Sequence, residues 1–350
     1  MKKIFKISLT ILGIIVGLFA AFLIYAGIDD YKPDEKEVEY ASNDPEVLSL
    51  DTFSVMLWNI GYCGMDATMD FFYDGGTQPR VSKEQTESNL QDIQDFIVSK
   101  ADETDFFLLQ EVDKKAKRSY KINEYETLNS ALPDFKTFFG KNYDVFFIPV
   151  PVTKPYGQVT GGLASYTKYE SNIVTRFQYP GNYSWPTKLF MLDRCFLENR
   201  FKLSNGKELL VINLHNSAFD DGSLRAQQLE YLRTYIDAEY EKGNYLIIGG
   251  DWNQSPPNFK PGYLGNFVDD TTTNSYIPVD AFDNGWIYVY SSKIPSNRRS
   301  NIVYDKKTTP TTVIDFFLIS PNVEPIYVEC IDLDFKNTDH QPVMGKFKLK

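Results

Sequence analysis

The chain has 350 residues, of which 43% are hydrophobic and 24% charged, a globular composition with enough apolar material for a sizeable core,. Its formal net charge of −11 argues against non-specific affinity for nucleic acid or other polyanions,. The three cysteines, Cys63, Cys195 and Cys330, have no close spacing, which argues against a structural zinc site and reads instead as buried small hydrophobes,.

Lys2, Lys3 and Lys6 precede an uncharged run from Ile7 to Ile28. At ~1.5 Å per residue that run can cross the ~30 Å hydrocarbon layer as a helix. The basic flank then stays in the cytoplasm, and the acidic Asp29-Asp30 flank lies outside,. A cleavable signal peptide is the rival reading, with Ile24-Tyr25-Ala26 as its cleavage site; the run is long for a signal core, which favours an uncleaved single-pass anchor,. Either way the remainder is expected outside the cytoplasm, membrane-bound or secreted. Taking the three lysines before the run from the 36 basic residues, and keeping all 47 acidic ones, gives that remainder a net charge of −14.

Residues 29–50 are acidic and polar with two prolines, and read as an extended spacer lifting the rest off the membrane,. From 51 to 350 no second linker or repeat interrupts the chain, so one large domain follows the 1–28 anchor. Strand-length apolar runs fall at Thr52–Asn59, Asp105–Glu111, Glu208–His215, Tyr245–Asp251 and Thr312–Ser320. Most are nearly continuous rather than alternating, as strands covered on both faces should be. A helix is predicted after Ser82, capped by it with Gln85 as the box partner, with Leu90, Ile93 and Ile97 inward,. A second is predicted from a Ser223 cap, with Leu229, Leu232 and Ile236 inward and Gly243 past its end,. Strands alternating with helices imply a layered α/β domain.

Each buried run ends on, or just before, a residue of catalytic type: Asn59, Glu111, His215, and Asp251 with Asn253. Asp315 sits inside an apolar run, where a carboxylate is costly unless paired, and Asp339-His340 follows near the end. Taken singly, Asn59 reads as a turn residue, and Glu111 and Asp251 as strand terminators. His215 and His340 are the two histidines of the chain, and both fall beside carboxylate- or amide-rich strand ends.

Together LWNIG, LLQEVD, NLHNS, GGDWNQSP, IDFFLIS and TDHQPV, in this order across residues 51–350, resemble the endonuclease/exonuclease/phosphatase superfamily. The resemblance implies a four-layer α/β sandwich: two packed mixed sheets flanked by helices, preceded here by one N-terminal transmembrane helix. It implies metal-dependent hydrolysis of phosphoester bonds with Mg2+, or with Mn2+ or Ca2+ in its place. Glu111 matches the main metal ligand, Asp339 a second metal-proximal carboxylate, and Asn59 a residue helping to hold the metal or phosphate. Asp251 matches the group that positions or deprotonates the attacking water, and Asn253 an amide on a phosphate oxygen. His340 matches a phosphate-contacting histidine oriented by Asp315. His215 matches a second histidine carried by deoxyribonuclease I-like and sphingomyelinase-like members, where the exonuclease III-like branch has Tyr. Arg118 and Arg194 are secondary candidates for a substrate phosphate, with a structural role at least as well supported for each. Arg225 and the Gly161–Leu163 stretch read as structural.

The stretch TTPTTVIDFFLIS lacks the block typical of inositol polyphosphate 5-phosphatases. Expected partners are a phosphoester substrate and the membrane, with nucleic acid as substrate only and no obligate protein partner. Phospholipid headgroups or small phosphoesters are the first substrate reading, an extracellular nuclease the second, and a catalytically silent surface module the third. Substrate choice is expected to lie in the loops Gly61–Arg80, Tyr143–Thr160 and Asn258–Pro278.

Overall fold

Strands that are apolar on both faces need cover on both sides, and the chain provides it with two stacked sheets and helices outside them. The computed structural model describes residues 2–218, 220–260 and 275–350. It begins with α1 (Lys2–Asp29), β1 (Lys36–Ala41), β2 (Val47–Leu48) and β3 (Thr52–Asn59), followed by α2 (Lys83–Lys100), β4 (Phe106–Asp113) and α3 (Glu124–Ala131). Next come β5 (Lys136–Ile148), β6 (Gly157–Thr167), β7 (Ile173–Gln178), β8 (Cys195–Leu203), β9 (Glu208–His215), α4 (Ser223–Glu241) and β10 (Tyr245–Asp251). The last are β11 (Ile287–Val289), β12 (Asn297–Arg298), β13 (Thr311–Thr312), β14 (Asp315–Ile319), β15 (Val323–Cys330) and β16 (Val343–Leu349).

One sheet runs β1-β7-β8-β9-β10-β14-β11, with β2 beside β8; the other runs β15-β16-β3-β4-β6-β5. Parallel pairing of β9 with β10 and of β3 with β4, among antiparallel neighbours, makes both sheets mixed. Period-two alternation sorts the side chains. Phe53, Val55 and Leu57 of β3 meet Val211, Ile247 and Phe317 between the sheets. Met56 and Trp58 face Leu90, Ile93 and Ile97 of α2. Leu210 and Ile212 of β9 face Leu229, Leu232 and Ile236 of α4. Each fully buried aliphatic side chain stabilises by about 1.5–3 kcal/mol, so the expected four-layer sandwich follows from the pattern. Where backbones approach most closely only glycine fits: a Cβ on Gly162 would lie 2.2 Å from the Gly140 carbonyl oxygen in the neighbouring strand,.

Several local expectations change. Ser82 accepts the Gln85 N–H at 3.2 Å, but the Gln85 side chain turns to Asn89 instead of closing a box. Gly222 rather than Ser223 is the cap of α4, and Asp220 Oδ2 accepts the Leu224 and Arg225 N–H groups at 2.8 and 3.2 Å,. The run Thr312–Ser320 yields a strand only from Asp315 to Ile319, because Thr311–Thr312 pairs with β12. All three cysteines are buried free thiols.

The largest difference is at the N-terminus. Helix α1 is long and apolar enough to span a membrane, with a mean hydropathy of 2.7. The acidic segment after it is not a free spacer. β1 pairs with β7 at the edge of the eight-stranded sheet, β2 pairs with β8, and Leu48 is buried in the core between the sheets. Asp30–Glu35 is all that separates the helix from the domain. The prolines and charges suggested a solvated linker, but Glu37 and Tyr40 of KEVEYA turn inward to Arg176 and Phe138, and the backbone pairs along β7 with a bulge between Val38 and Tyr40,.

Candidate active site

The strand ends of both sheets converge on one cleft of about 1170 Å3, lined by Glu111, Arg118, Arg194, His215, Asp251, Asn253, Asp339 and His340, among others. Asp251 is at its centre. Gly250, at φ +147°, lets β10 pass where a Cβ would lie 2.1 Å from the Leu214 carbonyl oxygen, and so delivers Asp251 beside His215, its register partner,. Asn59 bridges the sheets: its Nδ2 donates to Asp251 Oδ2 at 3.0 Å and to Glu111 Oε1 at 3.2 Å, and its Oδ1 accepts the Gly61 N–H at 3.0 Å. One lone pair of that oxygen is therefore already engaged, and Asn59 holds the two carboxylates in place. Glu111 adopts φ +55° within a register shift of β4 between Leu109 and Val112, an irregularity that turns its carboxylate into the cleft,. Directly behind, Asn213 ties the sheets together, accepting from Gln110 Nε2 at 2.7 Å and donating to Leu109 O at 3.1 Å.

His340 is fixed on every side. Its Nδ1 meets Asp315 Oδ2 at 2.9 Å and Asp251 Oδ2 is 3.7 Å from its Nε2; Asn297 Nδ2, which donates to Asp339 O at 3.2 Å, also reaches Nε2 at 3.0 Å, a bond that Nε2 accepts only while that nitrogen is unprotonated,. Ser296 Oγ donates to Asp315 Oδ2 at 2.7 Å. Burial would lower the His340 pKa, but the charges of Asp315 and Asp251 and the Asp315 hydrogen bond outweigh it and hold the imidazole well above the ordinary histidine range,. The pairing expected for the carboxylate inside an apolar run is thus present.

His215 behaves oppositely. Its Nε2 is 3.5 Å from Asp251 Oδ2 and 3.9 Å from Glu111 Oε1, while its buried Nδ1 makes no hydrogen bond. Burial and the positive charges of Arg194, His340 and Arg118 push its pKa well below the ordinary value, so it is neutral. Burial raises Asp251 to about 6 against the opposing effect of His340. Burial also raises Glu111, opposed by Arg118 and reinforced by the charge of Asp339.

Asn253, at φ +51°, donates its backbone N–H to Asp251 Oδ1 at 2.9 Å and its Nδ2 to Asn216 O at 2.9 Å. Of the two arginines, Arg118 lines the cleft but its fork is committed to Asp113, at 3.0 and 2.8 Å, with the guanidinium carbon 3.9 Å from the Tyr62 ring centroid,. It acts on the site through its charge. Arg194 faces the Glu111 and Asp251 carboxylates with Nη1 buried and without a hydrogen bond.

Several site residues carried no sequence signal. Ser296 and Asn297 support the Asp315–His340 pair. Arg298 donates Nη2 to Met65 O and Asp66 O at 3.2 and 2.6 Å, fixing the loop after β3. Asp74, hydrogen-bonded to Ser300 and raised to about 6 by burial, lines the same cleft. Of the three expected substrate loops, the first two border the cleft, and residues 261–274 of the third lie outside the described residues.

Oxygen-rich donors are present for a divalent cation. Donor atoms of Asp251, Asp315 and His340 lie within 4.8 Å of one another. The Asp315 carboxylate, however, is engaged by Ser296 and His340, so within that trio it serves first to hold the imidazole. The charge of Asp339 raises the pKa of Glu111, and both carboxylates face the cleft, as does Asp74.

This two-sheet arrangement with its site at the strand ends defines the architecture of a known family. The endonuclease/exonuclease/phosphatase family model matches residues 56–335, and the chain belongs to that family, whose members are hydrolases acting on phosphoesters. A family structure from Beutenbergia cavernae superposes with a TM-score of 0.58 at 16% identity, covering 86% of this chain and 72% of that one. One from Leptotrichia buccalis gives 0.54 at 14% identity, covering 85% and 100%. The human Nocturnin catalytic domain, solved with a bound sulfate anion, gives 0.52 at 14% identity, covering 86% and 97%. No curated protein sequence matches.

Proposed function

We propose that the chain is a membrane-anchored, extracytoplasmic hydrolase of phosphoester bonds that works with a divalent cation, Mg2+ foremost. The observation carrying this reading is the cluster around Asp251: a carboxylate raised to about 6, beside one charged and one neutral histidine, bridged by Asn59 to Glu111. Glu111 and Asp339 would hold the cation, with Asn59 positioning Glu111; hard carboxylate and amide oxygens suit Mg2+, and Mn2+ or Ca2+ less selectively. A bound cation would offset charge on the phosphate and on the leaving oxygen.

The remaining steps belong to the chain's own groups. Asp251, ionised above about pH 6, orients and deprotonates the attacking water,. His340, kept cationic by Asp315, donates to a phosphate oxygen, and Asn253 and Arg194 contribute further donors. His215, neutral, serves as a hydrogen-bonding group beside Asp251. The net charge of −14 beyond the anchor weighs against the nuclease reading and for lipid headgroups or small phosphoesters, while His215 keeps the nuclease as the alternative,.

A Mg2+-dependent activity panel over plasmid DNA, sphingomyelin, phosphoinositides and a bis-aryl phosphodiester tests the reading. Turnover that EDTA removes is expected. No turnover of any of these, with no cation binding by calorimetry, would replace it with the silent-module reading.

A further inference from the structure

The cleft is polar at its floor and apolar at its mouth, and part of that mouth is the membrane helix itself. Phe19, Phe22 and Leu23 of α1 line the same cleft as His215 and His340. Phe22 stacks on Phe190 with ring centroids 5.7 Å apart, and Tyr25 meets Phe146 edge-on at 4.7 Å. The run from Ile7 to Ile28 is about 33 Å long as a helix, little more than the ~30 Å hydrocarbon layer. Phe22 lies about 9 Å along the axis below the end of that run. The domain side chains that touch it therefore reach several ångströms into the acyl layer.

The junction holds this geometry. Glu35 accepts the Gln178 N–H at 2.9 Å, Tyr31 donates to Glu37 at 2.9 Å, and Lys141 Nζ lies 3.6 Å from the Tyr31 ring centroid. The loops around the mouth expose apolar side chains that a water-facing surface has no use for: Val152 is 85% and Trp185 63% exposed. Lys154 and Lys188 lie on these same loops, placed to meet headgroup phosphates in an otherwise acidic protein,.

We propose that the substrate is the phosphoester of a phospholipid in the same membrane that holds α1, entering headgroup-first between α1 and the 149–156 and 183–190 loops. This rests on the anchored-hydrolase reading above and narrows its substrate. The polar floor receives the phosphate, and the acyl chains remain against Phe22, Phe146 and Phe190. A soluble ester or a nucleic acid would gain nothing from that apolar wall.

Full-length protein reconstituted in phosphatidylcholine–phosphatidylglycerol vesicles permits two readouts. The first needs no activity. Trp58, Trp252 and Trp286 are at most 6% exposed, so quenching of tryptophan emission by brominated acyl chains reports on Trp185. Quenching that disappears in Trp185→Phe is expected; equal quenching with and without Trp185 overturns the docking. The second compares hydrolysis of lipid in those vesicles with that of soluble bis-aryl phosphodiester, before and after inserting a flexible Gly/Ser linker of about 20 residues between Pro33 and Asp34. Lipid turnover should fall at least about tenfold while soluble turnover is unchanged. Unchanged lipid turnover overturns the proposal. Soluble ester or plasmid DNA cleaved while lipid is untouched overturns it and leaves the hydrolase reading standing. No turnover of any substrate removes that reading and the proposal together.

Discussion

The two segments that bear histidine are neighbours around Asp251, yet they hold the same side chain in opposite states. His340, in the segment after β15, has a hydrogen-bonded carboxylate behind it and is cationic. His215, at the end of β9, has Nδ1 unpartnered and positive charge around it, and is neutral. Both are buried, so burial alone does not decide. What decides is whether a carboxylate is bonded to the far ring nitrogen, because that bond favours the charged form by more than desolvation opposes it. One cleft thus obtains a cation and a neutral hydrogen-bonding imidazole from a single residue type.

The strongest way to break the comparison is to remove its members. Substituting His340→Ala, and likewise Glu111→Ala or Asp251→Ala, should lower kcat/KM by about a thousandfold or more with the fold retained. His215→Ala should cost only about tenfold to thirtyfold, the loss of a neutral hydrogen bond. Circular dichroism with steady-state kinetics checks both, and wild-type turnover in His340→Ala would remove that histidine from the mechanism. Asp315→Asn keeps the shape but takes away the charge behind His340, so about a hundredfold should be lost. Its imidazole NMR resonances should then titrate near or below the ordinary range, where in the native protein they remain protonated through neutrality.

A smaller effect sharpens the contrast through pH. Burial holds Asp251 at about 6, above its unfolded value, so the protonated form favours the fold and that contribution is lost as pH rises through about 6. Ionised Asp251 adds its charge to the field of Glu111 and Asp339, which would hold the cation, so Mg2+ affinity should be severalfold weaker at about pH 5 than at about pH 7.5. Calorimetry at the two pH values measures it, and equal affinities would place Asp251 outside the cation's field. Least of all for turnover, Ser296→Ala removes the hydroxyl that donates to the Asp315 carboxylate and accepts the Ile314 and Asp315 N–H groups, and should reduce kcat severalfold and stability by about 1–3 kcal/mol, read from turnover and thermal melts.

Much of this site was legible because strand ends are fixed by hydrophobic pattern. Thr52–Asn59, Glu208–His215 and Tyr245–Asp251 have the same bounds as apolar runs and as strands. The Asp315–His340 pair was legible too, since a carboxylate in VIDFFLI needs a partner. Residues outside any period were not. Ser296, Asn297 and Arg298 lie in SSKIPSNRRS, which shows no alternation, and only the folded chain brings them to His340 and to the loop after β3. The commitment of Arg118 to Asp113 depends on a turn that no spacing announces. The strand at Lys36–Ala41 was hidden because an edge strand with charges on its open face has the composition of a linker.

That edge strand also sets an order of events. β1 pairs with β7 more than a hundred residues later, and β3 has its outer neighbour in β16, the last strand of the chain. The helix leaves the ribosome long before either partner exists. The six-stranded sheet cannot close until its last strand is made, so contacts of long sequence separation form only when nearly the whole chain is available,. β1 therefore waits unpaired until β7 is made, and the six-stranded sheet is completed only by the last strand.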